Sequence, residues 1–306
     1  MIYNIVIVAD DAYIQHSAVM LCSLFESNKD KRFRIFLFTT DISKENESRL
    51  TKLISKYSNE LDIKRILLDG ISDLPVGMWT TFMYLKLFMP LELPADVERC
   101  LFLDGDMIIH DNIDTLYQWD LNGKVLAAAE DNPDGELHKK RLGLQSHDVY
   151  INSGVMVCDI KAWRAMEVER PIFDYTRLIA SMIMNEQDVI AKYFVGKIDI
   201  LPIRWNMVTH YFLRVPKIYD KYLLTLREAR KHPGIIHFCA PVKPWFRDCN
   251  HPYGNLYRTY LSKTLWAGYK FPIYDKRGRI IKLKLAIKSL LDKTGIKLDP
   301  MALVIC

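Results

Sequence analysis

The chain contains no Cys-x-x-Cys pair among its six cysteines, Cys22, Cys100, Cys158, Cys239, Cys249 and Cys306. Three of them sit inside apolar runs, where free cysteine packs as a small hydrophobe. That usage points to a reducing compartment and excludes a disulfide framework. No stretch of about 20 apolar residues occurs, so a spanning helix is not predicted. The apolar run at residues 5–9 has no basic leader and is too short for a signal-peptide core, which leads to the expectation of a cytoplasmic protein. Neither a Gly-x-Gly-x-x-Gly nor a Gly-x-x-x-x-Gly-Lys-Ser/Thr pattern follows any predicted strand, which argues against dinucleotide and P-loop chemistry. Repeats and low-complexity runs are missing. No basic patch with interleaved stacking aromatics extends into the body, which speaks against nucleic acid as a partner.

What remains is a globular composition, 306 residues with 50% hydrophobic and 26% charged side chains, enough for one large α/β domain or two modest ones. The net charge of +5 is unevenly spread. Between residues 270 and 297 nine Lys or Arg stand against two acids, Asp275 and Asp292, so the rest of the chain is slightly acidic.

Residues 2–9 read as a buried strand, β-branched and uninterrupted. Helical spacing follows over residues 16–26, then a strand at 33–39, a helix at 43–57 with Ser43 as N-cap, and a strand at about 62–68. Alternating strands and helices predict a mostly parallel sheet with helices on both faces, in which ligands collect beyond the carboxyl ends of the strands. Residues 80–89 are expected to be helical and to stop at Pro90. Residues 124–129 form a short strand ending at Glu130-Asp131, residues 132–148 a loop or lid, and residues 150–159 a further strand with a small polar step, Asn152-Ser153-Gly154. Asn185-Glu186-Gln187-Asp188 opens an amphipathic helical segment, residues 201–206 are a rigid aromatic connector, and residues 235–245 form a strand ending at His237 followed by a proline-fenced turn that presents Lys243.

The chemistry concentrates at Leu103-Asp104-Gly105-Asp106, where an apolar strand ends in two carboxylates. A buried carboxylate needs a cation or hydrogen-bond donors, and two within three residues offer hard oxygen ligands suited to Mg²⁺ or Mn²⁺. Asp-Gly-Asp is also ordinary turn chemistry. His237 and Lys243 favour the metal reading: two carboxylates and a neutral imidazole can hold a divalent cation, and a lysine can add charge for phosphate oxygens. Such an arrangement stabilises a departing diphosphate.

The order Ala9-Asp10-Asp11-x-Tyr13, Leu103-Asp104-Gly105-Asp106, Asn152-Ser153-Gly154-Val155, Gln187-Asp188 and His237-Phe238-Cys239-Ala240-Pro241-Val242-Lys243-Pro244-Trp245-x-Arg247-Asp248-Cys249 resembles glycosyltransferase family 8, and within it the bacterial lipooligosaccharide and lipopolysaccharide α-galactosyl- or glucosyltransferases. The resemblance implies a GT-A fold over residues 1–269 and retaining transfer of a hexose from a UDP-sugar, with Mn²⁺ or Mg²⁺, to a glycolipid or oligosaccharide acceptor. It assigns Asp104, Asp106 and His237 as metal ligands. Ala9, Asp10 and Tyr13 would hold the uracil, with Gly105 and Lys243 at the nucleotide. Lys86, Asp131, Asn152, Ser153, Gly154, Glu186, Gln187, Asp188 and Ala240 would line the donor sugar. Family members place Gln187 beneath the anomeric carbon. An amide is a poor nucleophile, so front-face attack is expected, with Gln187 orienting and the metal bearing charge.

Five departures leave the donor sugar open, UDP-GlcNAc included. Ala12 stands for an Asn, Tyr84 for an Arg reaching donor sugar or phosphate, Glu186 for Asp, Ala240 for Gly and Ala191 for Asn. A nucleotidyltransferase would share the paired carboxylates but needs a glycine-rich N-terminal signature, whereas a nucleotide-sugar-binding protein without activity would suit the departures. Residues 270–306 read as a basic tail, in which Ile280, Leu283, Ile287, Leu290 and Leu291 share a helical face beside Lys284 and Lys288. Such a helix would hold the protein at the anionic inner face of the cytoplasmic membrane.

Overall fold

A computed structural model describes residues 1–68, 71–76, 80–274 and 287; apart from Ile287, the amphipathic face read in the tail lies outside them. Ten strands occur among the described residues: β1 Ile2–Val8, β2 Arg32–Thr39, β3 Glu60–Arg65, β4 Arg99–Leu103, β5 Met107–Ile109, β6 Leu126–Glu130, β7 Ile151–Asp159, β8 Ile198–Ile200, β9 Met207–Val208 and β10 Ile235–His237. Seven form one sheet in the order β3-β2-β1-β4-β7-β6-β8, and β5-β10-β9 form a second, small sheet. The large sheet is mostly parallel, with β7 alone running against both of its neighbours.

Both faces of the large sheet are covered, which is why its central strands are continuously apolar. Ile5, Ile7, Leu101, Leu103, Val155 and Val157 share one core with the helix Ile14–Ser27, while Val6, Phe36, Phe38, Phe102, Met156 and Cys158 share the other with Trp163. Alternate residues of a strand thus serve opposite cores. The chain leaves the large sheet at Leu103 and enters the small one at Met107, so Asp104-Gly105-Asp106 is the crossover between the two sheets.

Local chemistry accounts for some boundaries. Ser43 caps the helix Lys44–Lys56, its side chain accepting from Asn46 N at 3.3 Å. Three expectations change. Residues 80–89 are not one α-helix: Thr81–Phe88 winds as a 3₁₀ helix, and a short α-turn, Met89–Glu92, carries Pro90 in its first turn instead of ending before it. Proline is tolerated in a first turn because its missing N–H would have no intrahelical partner. The third strand starts two residues earlier than expected and ends at Arg65, where its pairing with Thr39 stops. Residues 132–148 contain the helix Gly135–Leu142, closed by Gly143 in the left-handed region at φ 63°, a conformation that favours glycine at this position. The packed body reaches Tyr274, whose N donates to Asp248 Oδ1 at 2.8 Å, and Arg247 N donates to Pro272 O at 2.8 Å.

Arg164, on the helix Ile160–Glu169, fastens residues 90–97 by donating to the carbonyls of Pro90, Val97, Leu93 and Pro94 at 3.0, 3.0, 2.7 and 2.9 Å. Arg164→Met leaves these four carbonyls without that donor and is expected to cost about 1–3 kcal/mol, read as a lower thermal midpoint.

Candidate active site

A cavity of about 600 Å³ opens along the carboxyl ends of β1 and β4 and the start of β7. Asp104 and Asp106 enter it from the crossover, and His237 enters from the end of β10, which pairs with β5 so that His237 lies opposite Met107. Two further bonds fix the crossover: Asp104 N donates to Gly154 O, and Phe238 N donates to Asp106 O, both at 2.9 Å. One ligand atom from each of Asp104, Asp106 and His237 lies within 4.8 Å of the other two. His237 Nε2 is 3.3 Å from Asp106 Oδ1 and 3.9 Å from Asp104 Oδ2.

Cations flank the carboxylates. Lys243 Nζ donates to Asp106 Oδ2 at 2.6 Å and to Phe238 O at 2.7 Å. Lys86 is buried, 2.9 Å from Glu186 Oε1, 3.3 Å from Ser153 Oγ and 3.4 Å from Asp104 Oδ1, over the ring of Phe102. These placements push the two carboxyl groups apart. Burial raises the pKa of Asp104 against the pull of Lys86. Burial acts the same way on Asp106, but Lys243 and His237 outweigh it and hold that carboxyl well below the usual range.

An oxygen-rich set with one imidazole suits a divalent ion such as Mn²⁺ or Mg²⁺, and two of the ligands stand hard against a backbone position without a side chain. A Cβ on Gly154 would fall 2.6 Å from His237 Cε1 and 2.9 Å from Asp104 Oδ2, displacing two of the three candidate ligands. Gly105 answers a different constraint: a Cβ there would lie 2.3 Å from Ser17 Oγ and 3.2 Å from Tyr13 Cδ1.

Most of the residues singled out in the sequence line this one cavity: Ala9, Asp10, Tyr13, Lys86, Gly105, Asp131, Asn152, Ser153, Gly154, Glu186, Gln187 and Lys243, together with the three candidate ligands. Tyr13 meets Trp245 edge-on at 5.5 Å, and Trp245 stacks on His16 at 3.7 Å, which ties the Lys243 turn to the helix Ile14–Ser27. Gln187 is held on both sides, its Oε1 accepting from Ser153 N at 3.0 Å and its Nε2 donating to Asp131 Oδ2 at 3.1 Å. Asp131 carries a pKa raised by burial, which the backbone N–H of Asn132 and the amide of Gln187 oppose.

Two expected members stand apart. Asp188 is fully buried and does not line the cavity; it accepts from Arg141 at 2.6 Å, Met184 N at 2.7 Å and Tyr150 at 2.8 Å. Consecutive helical residues point about 100° apart, so Glu186 and Gln187 face the cavity while Asp188 anchors the helix Glu186–Tyr193 from behind. Ala240 is also outside the lining, between Cys239 and Lys243, which are within it. Tyr84, set where an arginine was expected to reach the donor, turns away and donates to Pro75 O at 2.5 Å. The cation on that wall comes from Lys86, two residues on along the same 3₁₀ helix.

Sequence reading missed His138, Tyr150 and His210 in the lining and Asn206 behind it. Asn206 had one weak signal, its place at the end of the aromatic connector. His138 and Tyr150 lay in and just after a stretch taken for a loop.

The profile of "Glycosyl transferase family 8" matches residues 4–249. The chain belongs to that family. Among its relatives, general stress protein A of Bacillus subtilis is 26% identical over 275 residues, covering 87% of this chain and 95% of that protein. Lipopolysaccharide 1,2-glucosyltransferase of Escherichia coli K12 is 24% identical over 277 residues, covering 86% and 78%. The crystal structure of galactosyltransferase LgtC in complex with donor and acceptor sugar analogs superposes with a TM-score of 0.76 at 21% identity, over 87% of this chain and all of that one. That likeness identifies the fold as GT-A, as the family assignment leads one to expect.

Gly154→Ala is expected to weaken Mn²⁺ binding about tenfold or more, because two ligand side chains must move. Electron paramagnetic resonance titration of free Mn²⁺ measures it, and unchanged affinity in a folded variant would contradict the assignment of these ligands.

Proposed function

We propose that the protein is a retaining hexosyltransferase, moving galactose or glucose from a UDP-sugar to a saccharide acceptor on a surface glycolipid or polysaccharide. One observation carries this reading. The Asp104-Asp106-His237 cluster, Lys243 and the tethered Gln187–Asp131 pair all line a single cavity. A divalent ion held by the three ligands would neutralise charge on the departing diphosphate. Lys243, in the same cavity, would add a second positive charge to the same phosphates, and Tyr13 would offer a ring to the base.

Gln187 holds its amide in a fixed orientation, accepting from Ser153 and donating to Asp131, so its part is to orient the sugar. With no carboxylate at that position, the acceptor hydroxyl attacks from the face the diphosphate leaves, and the leaving oxygen takes its proton. Lys86 is already matched by Glu186 and Asp104, which favours a neutral hexose over a uronic acid. Relatives named as lipopolysaccharide glucosyl- and galactosyltransferases support a lipid-linked acceptor. The basic tail at residues 270–306 would then keep the enzyme on the inner face of the cytoplasmic membrane.

A panel of UDP-hexoses incubated with Mn²⁺ tests the activity through slow donor hydrolysis. At least one is expected to be cleaved, with EDTA abolishing turnover and Asp106→Asn lowering it by about 10²–10³-fold. Full activity in EDTA would sink the metal-dependent reading, and failure of every donor would leave a binding protein of this fold. Gln187→Ala is expected to reduce turnover far less than Asp106→Asn. If the two losses were equal with donor binding intact, front-face attack would be the wrong mechanism.

A further inference from the structure

Behind the cavity a chain of hydrogen bonds links the donor-sugar wall to the candidate metal ligand. Gly154 N donates to Asn152 Oδ1 at 3.2 Å, Asn206 Nδ2 donates to the same oxygen at 2.8 Å, and His237 Nδ1 lies 2.9 Å from Asn206 Oδ1. The polarity of this chain follows from its first member. A backbone N–H can only donate, so the Asn152 atom facing it is the carbonyl oxygen. That oxygen can only accept, so Asn206 turns its amide nitrogen to it and its own oxygen to His237. An oxygen facing Nδ1 requires the proton on Nδ1, so in the neutral imidazole the lone pair is on Nε2, directed at Asp104 and Asp106.

We infer that Asn206 is a positioning residue that holds His237 in its metal-ligating tautomer and ties that ligand to the sugar-binding Asn152. The inference rests on reading the cavity as a metal and sugar-nucleotide site. Asn206 is 1% exposed and touches neither the cavity nor the reacting atoms. Its backbone is held independently, its N donating to Ile203 O at 3.0 Å and its O accepting from Val208 N at 2.9 Å, just before β9 pairs with β10 beside His237. Without the Asn206 oxygen, the imidazole is free to carry its proton on Nε2 and donate it to Asp106 Oδ1, 3.3 Å away. A protonated Nε2 cannot ligate a cation. The same bond leaves the Asn152 amide nitrogen free of the chain and available to a sugar hydroxyl, so both halves of the site depend on one buried amide.

The test uses selectively ¹⁵N-histidine-labelled, metal-free protein, with the His237 signals assigned by their loss in His237→Gln. The unaltered protein is expected to show His237 protonated on Nδ1. Asn206→Leu is expected to shift it toward the Nε2–H form and to weaken Mn²⁺ binding by about 10–100-fold, the usual cost of losing a partner behind a metal ligand. Asn206→Asp keeps the acceptor for Nδ1–H and loses the donor to Asn152. It should therefore retain the tautomer and most of the Mn²⁺ affinity while raising the KM for the UDP-sugar. A tautomer and Mn²⁺ affinity unchanged in folded Asn206→Leu would overturn the inference, as would loss of Mn²⁺ binding in Asn206→Asp equal to that in Asn206→Leu. Absence of Mn²⁺ binding by the unaltered protein would overturn the metal reading itself, and the tautomer of His237 would still decide the role of Asn206.

Discussion

Two carboxylates must be held in a largely buried place at the point where the chain passes from one sheet into another. Everything around Asp104 and Asp106 answers that constraint. Burial alone would neutralise both groups. Lys243 and His237 keep Asp106 ionised, whereas Lys86 shares its charge between Asp104 and Glu186. The crossover also explains how the site is held. Leu103 belongs to the large sheet and Met107 to the small one, so both ends of the three-residue connection are fixed by ladders of hydrogen bonds. A ligand cluster built this way is preorganised, and charge developing in its cavity meets fixed partners with little rearrangement.

The second layer of the site consists of residues that never reach the cavity. Asp188 spends its carboxylate on Arg141, Tyr150 and Met184 N, thereby fixing the start of the helix that presents Glu186 and Gln187. Trp245, stacked on His16, fastens the turn that carries Lys243. Asn206 does the same for His237. Each acts through a neighbour, and Asp188 and Asn206 are buried where a polar group has to be satisfied internally.

Much of this was legible along the chain. Strand runs such as Ile5-Val6-Ile7 declare themselves because both faces of the sheet are covered, and Ser43 declares its helix through its side-chain oxygen. The paired aspartates stood out because acids rarely interrupt a buried apolar run without a partner. Pro90 misled because proline breaks a helix interior but suits a first turn, and only the surrounding backbone says which applies. The helix Gly135–Leu142 was hidden by its polar residues, and its one clear signal was Gly143 at the cap. Asp188 looked like a sugar ligand because it adjoins Gln187, and the 100° step of the helix sends it the other way.

By itself the sequence determined the family, the alternation that builds the sheet, and the residue types able to hold a divalent ion and a diphosphate. These are local or motif-level properties, set by side-chain chemistry and spacing. The tertiary structure decided which of those residues meet. The antiparallel pairing of β10 with β5 brings His237 to Asp106 across 131 positions of chain. The 3₁₀ winding of Thr81–Phe88 buries Tyr84 and turns Lys86 to the cavity wall. Asn206 acquired its place only through the contact of two strand ends, because a hydrogen-bond chain between distant segments has no period or spacing that a linear reading could detect.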